Sequence, residues 1–240
     1  MKHSQGQYAA VQSICNLYSI ELDEYQIKEI TEHTSCVLEE TQKTNLTAIA
    51  SFEDALHIHI EDSLSPLPYL KDLTFSKYAD IGTGAGYPGI PLGIALNVPT
   101  FLFEATAKKT SFLEHFLSEN VLESRIHVVN SRIEKAEEYF GQFDLVSARA
   151  LSSAATVVEL ATPLLTTGGV LLLYKARIDN AELESGIRAA ELCGLELTNQ
   201  HTLTINNNTL ERTILLFKKA GEAQVKLPRR DGMAQKRPLA

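Results

Sequence analysis

The fold of this chain is decided by residues 78–92, which read Tyr78-Ala-Asp-Ile-Gly-Thr-Gly-Ala-Gly-Tyr-Pro-Gly-Ile-Pro-Leu92. The pattern predicts a short strand that ends at Asp80, a glycine-rich turn, and a helix. Gly82, Gly84 and Gly86 suit a turn that uses positive φ values and brings the backbone close to a ligand, because glycine has no Cβ. The stretch therefore indicates a site for a nucleotide-like ligand, with a purely structural turn between strand and helix as the alternative.

The spacing of acidic residues indicates which ligand this is. Gly84, Gly86 and Gly89 also satisfy the GxGxxG fingerprint of nicotinamide and flavin enzymes. However, the acid at the strand end in Asp80-x-Gly82-x-Gly84-x-Gly86 favours S-adenosylmethionine. Glu104 ends the next apolar run about 20 residues after the glycines, the spacing at which a carboxylate accepts hydrogen bonds from ribose hydroxyls. Its alternative role is to cap the helix predicted to follow it.

Strands and helices alternate from residue 77 onwards, which is the pattern of a parallel sheet with crossover helices. We predict strands at 77–81, 100–104, 126–129, 143–147 and 169–175, and helices near 89–96, 107–120, 152–165 and 179–193, with a short helix after Ser131. Residues 195–204 and 212–217 are strand-like and flank the turn-rich Asn206-Asn-Asn208, so they predict a hairpin. The predicted fold is α/β and Rossmann-like, a mostly parallel sheet ending in an antiparallel hairpin, as in class I S-adenosylmethionine-dependent methyltransferases.

The chain divides into three parts by pattern. Residues 1–70 are predicted to form a helical extension, because apolar positions such as Leu22, Ile27 and Ile30 are spaced for one helix face. Residues 71–219 carry the alternating pattern and form the predicted methyltransferase domain. Residues 220–240 are a basic tail.

The composition is that of an ordinary globular protein, since 44% of the 240 residues are apolar and 22% are charged. There is no run of about 18 apolar residues, and residues 1–7 lack the apolar core of a signal peptide. We therefore expect a cytoplasmic protein without a membrane partner. Cys15, Cys36 and Cys193 lack CxxC spacing, so neither a disulfide framework nor a metal site is indicated.

The formal charge of −8 is unevenly distributed. From residue 218 onwards the chain carries a net +5, which leaves −13 for the rest. A basic tail on an acidic body suggests that the tail contacts a polyanion and is disordered without it, with a solvated terminus as the alternative. The candidate RNA-binding residues of the tail are Arg229, Arg230, Lys236 and Arg237.

Several motifs occur in one order along almost the whole chain. They are Asn45-Leu-Thr-Ala-Ile49, His59-x-x-Asp62-Ser63, the 80–92 stretch, Ser131-Arg-Ile-Glu134, Phe143-Asp-Leu-Val-Ser-Ala-Arg-Ala150, Lys175, and Leu227-Pro-Arg-Arg-x-Gly232 with Lys236-Arg-Pro-Leu239. In these motifs the chain resembles the glucose-inhibited division protein B family. These RsmG-type methyltransferases modify a guanine of 16S ribosomal RNA at its seven position, so the resemblance implies S-adenosylmethionine as cofactor and the RNA or the small ribosomal subunit as partner.

The resemblance also implies roles for individual residues. For the cofactor it implies contacts from Asp80, Gly82, Gly84, Tyr87, Glu104, Ala105, Thr106, Ile133 and Glu134. It places Arg149, the candidate catalytic residue, beside both the cofactor and the target base. Arg149 could instead form an ion pair with Asp80 or Glu134 that organises the site. His59, Lys175 and Arg212 match basic positions that could face RNA, or they are ordinary surface or capping side chains.

The residues suit methylation of a ring nitrogen. The seven-position nitrogen of guanine carries a lone pair and no proton, so methyl transfer to it needs no catalytic base. After the fourth strand the chain reads Ser147-Ala-Arg-Ala150, where enzymes that methylate exocyclic amines carry an Asn/Asp-Pro-Pro-aromatic motif. The alternatives are a non-catalytic RNA-binding or ribosome-assembly protein, a nicotinamide-dependent oxidoreductase and a small-molecule methyltransferase.

Overall fold

The structure, a computed structural model, describes residues 5–240. Residues 1–4 lie outside the described residues. They begin the predicted helical extension and belong to the segment searched for a signal peptide. Within residues 5–240, none of the helices combines the length and the apolar character needed to cross a bilayer.

The centre of the molecule is a seven-stranded sheet in the order β3-β2-β1-β4-β5-β7-β6. The strands are β1 (Tyr78–Ile81), β2 (Thr100–Glu104), β3 (Ile126–Asn130), β4 (Phe143–Arg149), β5 (Leu165–Lys175), β6 (Leu195–Ile205) and β7 (Leu210–Lys219). β1 to β5 pair in parallel, whereas β7 runs antiparallel to both β5 and β6. The predicted fold class is confirmed, including the hairpin that ends the sheet.

Helices cover both faces of this sheet. They are α1 (Gln5–Leu17), α2 (Glu24–Thr44), α3 (Phe52–Ala55), α4 (Asp62–Leu64), α5 (Leu67–Leu70), α6 (Gly89–Leu96), α7 (Ala107–Glu119), α8 (Ala154–Ala161), α9 (Asn180–Cys193) and α10 (Met233–Lys236). A π-helical turn, Leu56–Glu61, joins α3 to α4, and two 3-10 turns, Ile133–Lys135 and Glu137–Tyr139, follow β3.

Successive side chains of the central strands point to opposite faces of the sheet and form one hydrophobic core on each face. On one face, Ala79 and Ile81 of β1 pack with α8 and α9. On the other face, Leu102 of β2 packs with α6 and α7, and α1 and α2 lie on top of these helices. The helical extension therefore covers the same face of the sheet toward which the side chains of Tyr78 and Asp80 point.

Helix α2 shows why the extension is helical. Asp23 caps its first turn, accepting a hydrogen bond from the Gln26 backbone N–H at 2.8 Å, while the Gln26 side chain accepts one from the Asp23 N–H at 3.0 Å. The helix ends at Thr44 and is followed by Asn45, whose left-handed φ of 52° suits an asparagine. Val37 and Ile30 are fully buried, so one apolar face fixes the helix against the domain.

Candidate functional site

The glycine-rich loop between β1 and α6 is held in place by Asp80. The carboxylate accepts hydrogen bonds from the Gly89 N–H at 3.0 Å and from the Ser147 hydroxyl at 2.5 Å. Asp80 is fully buried, and burial raises its pKa to about 6. Asp80 therefore shapes the loop from behind and lines neither of the two cavities described below.

The loop has the backbone that its glycines predict. Gly82, Gly84 and Gly86 have φ values of 69°, 61° and 100°. A Cβ on Gly84 would meet no other heavy atom closer than 4.0 Å, whereas one on Gly82 would lie 2.7 Å from the Leu151 side chain. The loop is therefore open at Gly84 and closely packed at Gly82.

Glu104 lies at the end of β2, opposite the glycine loop. Its carboxylate accepts hydrogen bonds from the Gly84 N–H at 3.2 Å and the Thr106 N–H at 2.8 Å. The residue is 8% exposed, so it is not a solvated helix cap. Thr106 is the residue that precedes α7, and one oxygen of Glu104 thus supports the start of that helix while the other supports the loop.

A cavity of 370 Å³, the loop cavity, opens between these elements. It brings together five of the residues predicted to bind the cofactor: Gly82, Glu104, Ala105, Ile133 and Glu134. Asp80, Gly84, Tyr87, Thr106 and Arg149 do not line it. The sequence analysis did not assign the other lining residues, which are Phe103, Lys109, Arg132, Ala150, Leu151, Leu160 and Gln235.

A second cavity of 440 Å³, the cationic cavity, lies at the ends of β4 and β5. Arg149, His59, Lys175 and Arg212 all line it, together with Arg177 and Asp62, which the sequence analysis did not assign. Ala150 lines both cavities, so they meet directly after β4. The residues predicted to face RNA on the body of the protein therefore form one site beside the loop cavity.

Arg149 is anchored by the helical extension. Its Nη1 donates hydrogen bonds to Asp62 Oδ2 and to the Ile58 carbonyl oxygen, each at 2.9 Å. The alternative prediction, an ion pair with Asp80 or Glu134, is wrong, because the carboxylate that pairs with Arg149 is that of Asp62. The guanidinium carbon lies 5.7 Å from the centre of the Tyr87 ring, within reach of a cation–π contact.

Two histidines pack against Tyr87. The ring of His59 stacks on Tyr87 with centroids 4.4 Å apart, and His33 of α2 lies 4.6 Å from the same ring. Burial lowers the pKa of His59 to about 4 and that of His33 to about 3, so both are neutral near pH 7. Tyr87 is 4% exposed and donates to the Thr34 hydroxyl at 2.9 Å, so it supports the loop from the side of the extension.

Lysine and arginine side chains around the cationic cavity are paired with acids. Lys175 Nζ lies 2.6 Å from Glu182 and donates to the Ser152 carbonyl at 3.1 Å. Arg212 Nε donates to Asp62 Oδ1 at 2.9 Å. These groups are held in place rather than freely solvated.

The basic tail is packed, and the expectation that it is disordered is wrong. Arg229 Nε donates to Glu159 Oε1 at 2.6 Å, and its Nη2 donates to the other oxygen of Glu159 at 2.5 Å. The Gly232 N–H donates to Glu134 at 2.9 Å, and Ala234 of α10 is buried against α8. Arg229 therefore faces α8, whereas the other three candidate RNA-binding residues of the tail, Arg230, Lys236 and Arg237, are exposed.

The fold, the glycine loop and the acid at the end of β2 define a class I methyltransferase. Comparison with known proteins gives the family, since the model of the family described as "GidB: rRNA small subunit methyltransferase G" matches residues 26–213. The chain belongs to this family, which confirms the resemblance seen in its motifs. Within the described residues, no group of three His, Cys, Asp or Glu side chains is placed to hold a metal ion.

Individual relatives agree with the family. A ribosomal RNA small subunit methyltransferase G of Syntrophomonas wolfei is 36% identical over 219 residues, covering 90% of this chain and 100% of the relative. Another of that name from Carboxydothermus hydrogenoformans is 31% identical, covering 92% and 95%. Among solved structures, an O-methyltransferase from Bacillus cereus in complex with SAH superposes with a TM-score of 0.59 at 16% identity, covering 88% of this chain and 97% of that one, which supports the fold.

Proposed function

We propose that the protein transfers a methyl group from S-adenosylmethionine to the seven-position nitrogen of a guanine in 16S ribosomal RNA. The observation that supports this most directly is the meeting of two different cavities at Ala150. One offers the carboxylates of Glu104 and Glu134 and apolar side chains such as that of Ile133, which suit a nucleoside, and it is also lined by Lys109 and Arg132. The other offers cationic donors, which suit a nucleotide of RNA.

The loop cavity fits the cofactor. Glu104 offers carboxylate oxygens to the ribose hydroxyls, while Ile133, which is 8% exposed, offers an apolar surface to the adenine. Gly82 lies beside Leu151, the neighbour of Ala150, which lines both cavities, so we assign the methionine part to this end of the loop cavity. When bound, S-adenosylmethionine supplies an activated methyl group on a sulfonium.

The cationic cavity suits methylation at the seven-position nitrogen of guanine, which has no proton to lose. Asp62 is bonded to both Arg149 and Arg212, so its carboxylate is not free to act as a base. Such a base is not required, because the seven-position nitrogen carries a free lone pair. The protein therefore contributes by orientation, which can be worth about 7–11 kcal/mol when the reacting atoms are well aligned.

Arg149 is proposed to position the base or its phosphate. Arginine keeps its proton near neutral pH, so it acts as a donor of hydrogen bonds and not as a base. The adjacent O6 of guanine and the phosphate oxygens are its natural acceptors. A close contact with the methylated nitrogen itself is unfavourable, because that nitrogen gains positive charge.

The exposed lysine and arginine side chains of the tail are proposed to contact the RNA backbone. Arg230, Lys236 and Arg237 lie on the segment that also packs beside the loop cavity through Gln235. Contacts with phosphates would thus be made near the cofactor. Because its proposed substrate is ribosomal RNA, we also propose that the enzyme acts in the cytoplasm.

The test is to map the methylated nucleotide. The protein is incubated with labelled S-adenosylmethionine and either naked 16S RNA, an assembly intermediate or mature small subunits, and the product is located by primer extension after cleavage at 7-methylguanine. We expect one labelled guanine. Binding of RNA and cofactor without turnover on any of the three substrates would refute the proposal and favour a ribosome-assembly role.

Arg149→Lys tests the division of the site. Because Arg149 lines the cationic cavity and not the loop cavity, we expect a large drop in the single-turnover rate with cofactor affinity changed less than threefold. The opposite result would place Arg149 against the cofactor. Full activity of Arg149→Ala at the same guanine would remove Arg149 from the site.

A further inference from the structure

Asp62 connects three parts of the fold at the wall of the cationic cavity. It is the first residue of α4, directly after the π-helical turn, and it is 3% exposed. One carboxylate oxygen accepts from Arg149 at the end of β4, and the other accepts from Arg212 on β7, each at 2.9 Å. One buried acid of the extension thus holds two arginines that come from different strands.

Each arginine leaves part of its guanidinium group without a partner among the described residues. Arg149 uses Nη1 for both of its hydrogen bonds, to Asp62 and to the Ile58 carbonyl. Arg212 uses Nε for Asp62 and Nη1 for the carbonyl of Glu211. Among the described residues, Nε and Nη2 of Arg149 and Nη2 of Arg212 make no hydrogen bond, so these N–H groups are available to a ligand.

The π-helical turn explains how this contact forms. Its wider turn puts His59 and Asp62 on the cavity side together and directs the Ile58 carbonyl toward Arg149. Such turns are often found at functional sites. The turn therefore places both an acid and a carbonyl where a guanidinium needs acceptors.

We propose that Asp62 is a positioning residue that fixes Arg149 and Arg212 as a paired set of donors for the target nucleotide. This inference rests on the proposed function, in which the target enters the cationic cavity. Without the carboxylate the two guanidinium groups would repel each other and take up several orientations. With it, the free N–H groups have fixed directions before the nucleotide arrives, which lowers the entropy cost of alignment.

Charge and geometry can be separated with two substitutions. Asp62→Asn removes the charge and places an NH2 group toward one arginine, so we expect at least a tenfold lower single-turnover rate. RNA binding should be unchanged or tighter, because the cavity becomes more positive. Asp62→Glu keeps the charge but moves the carboxylate by one methylene, and it should also lower the rate at least tenfold. Cofactor affinity should change less than twofold in both.

The control is Glu53→Gln, which removes the same charge from an exposed position of α3 and should leave all three quantities unchanged. A purely structural role would lower the melting temperature and the cofactor affinity together. If Asp62 acted only through its charge, the Asp62→Glu variant would keep the wild-type single-turnover rate. Either result would overturn the inference.

A double-mutant cycle completes the test. In the Arg149→Lys background, Asp62→Asn should lower the rate by less than threefold, because both changes disturb the same donor pair. If the fold-changes in rate caused by Asp62→Asn and Arg149→Lys simply multiplied in the double variant, the inference would be contradicted. Absence of guanine methylation by the wild-type protein would refute the proposed function, and the inference with it. Wild-type activity that both Asp62 variants retain would refute the inference alone.

Discussion

Replacing Glu104 by alanine should weaken cofactor binding strongly. Hydroxyl donors that lose a charged acceptor cost about 1–3 kcal/mol. In this structure the same carboxylate also accepts from the Gly84 and Thr106 N–H groups at 3.2 and 2.8 Å, so the substitution also releases the glycine loop. We therefore expect the upper half of the range, about 2–3 kcal/mol, which is roughly a 30- to 150-fold higher Kd.

Glu104→Asp should be milder. It keeps the charge, but a side chain shorter by one methylene cannot reach the ribose and both backbone amides at once. We expect a loss of about 1 kcal/mol, close to fivefold in Kd. Calorimetric titration with S-adenosylmethionine and with its demethylated product measures both variants.

Glu114→Ala is the matched control. It removes the same charge from an exposed position of α7, the helix that follows Glu104, and should bind the cofactor normally. Should Glu104→Ala bind within twofold of the wild-type protein, the carboxylate serves only the loop and the helix start. The assignment of the ribose end of the loop cavity would then be wrong.

Three further predictions concern Gly82, the basic tail and His33. Gly82→Val should abolish cofactor binding in calorimetry, because φ is 69° and the Cβ would lie 2.7 Å from Leu151; unchanged affinity would refute the site. Arg230→Gln with Lys236→Gln should lower the salt slope of RNA binding by about 2, measured as log K against log salt, whereas Arg229→Gln should chiefly lower stability. Burial lowers the pKa of His33 from 6.5 to about 3, so the free energy of unfolding is highest above pH 6.5 and falls as the pH is lowered. Between pH 6.5 and 5, urea titrations should show that His33→Gln loses about 1.6 kcal/mol less of this free energy than the wild-type protein, and an equal loss would contradict the prediction.

Much of the fold could be predicted because it depends on local patterns. The predicted helix at 89–96 and the strand at 100–104 agree with the structure at both ends, and the hairpin lies where the asparagine-rich turn indicated. Apolar alternation and glycine positions are properties of neighbouring residues, so a single sequence carries them. The acid at the end of β2 was found for the same reason.

The partners of individual side chains could not be predicted. Asp62 and Arg212 are 150 residues apart in sequence, and their contact exists only because β7 returns beside β5 and the extension lies over that part of the sheet. The motif His59-x-x-Asp62 was visible, but nothing local assigned the acid to two arginines. For the same reason, the sequence offered only Asp80 and Glu134 as alternative partners of Arg149, whereas the structure pairs it with Asp62.

The tail was predicted to be disordered because its own sequence is polar and basic. Its order comes from residues far away, mainly Glu159 of α8, which is 2% exposed and accepts two hydrogen bonds from Arg229. Breaking a buried pair on one side commonly costs about 3–5 kcal/mol, and Arg229 is partly exposed, so the lower end applies here. Composition alone does not reveal such a partner.

The presence of Gln235 in the wall of the loop cavity places the tail beside the cofactor site. The Gly232 N–H of the tail also donates to Glu134, another residue of that wall, at 2.9 Å. A segment proposed to contact RNA is therefore part of the wall that would enclose the cofactor. By thermodynamic linkage, any change that RNA binding makes in the affinity for the cofactor is matched by an equal change that the cofactor makes in the affinity for RNA.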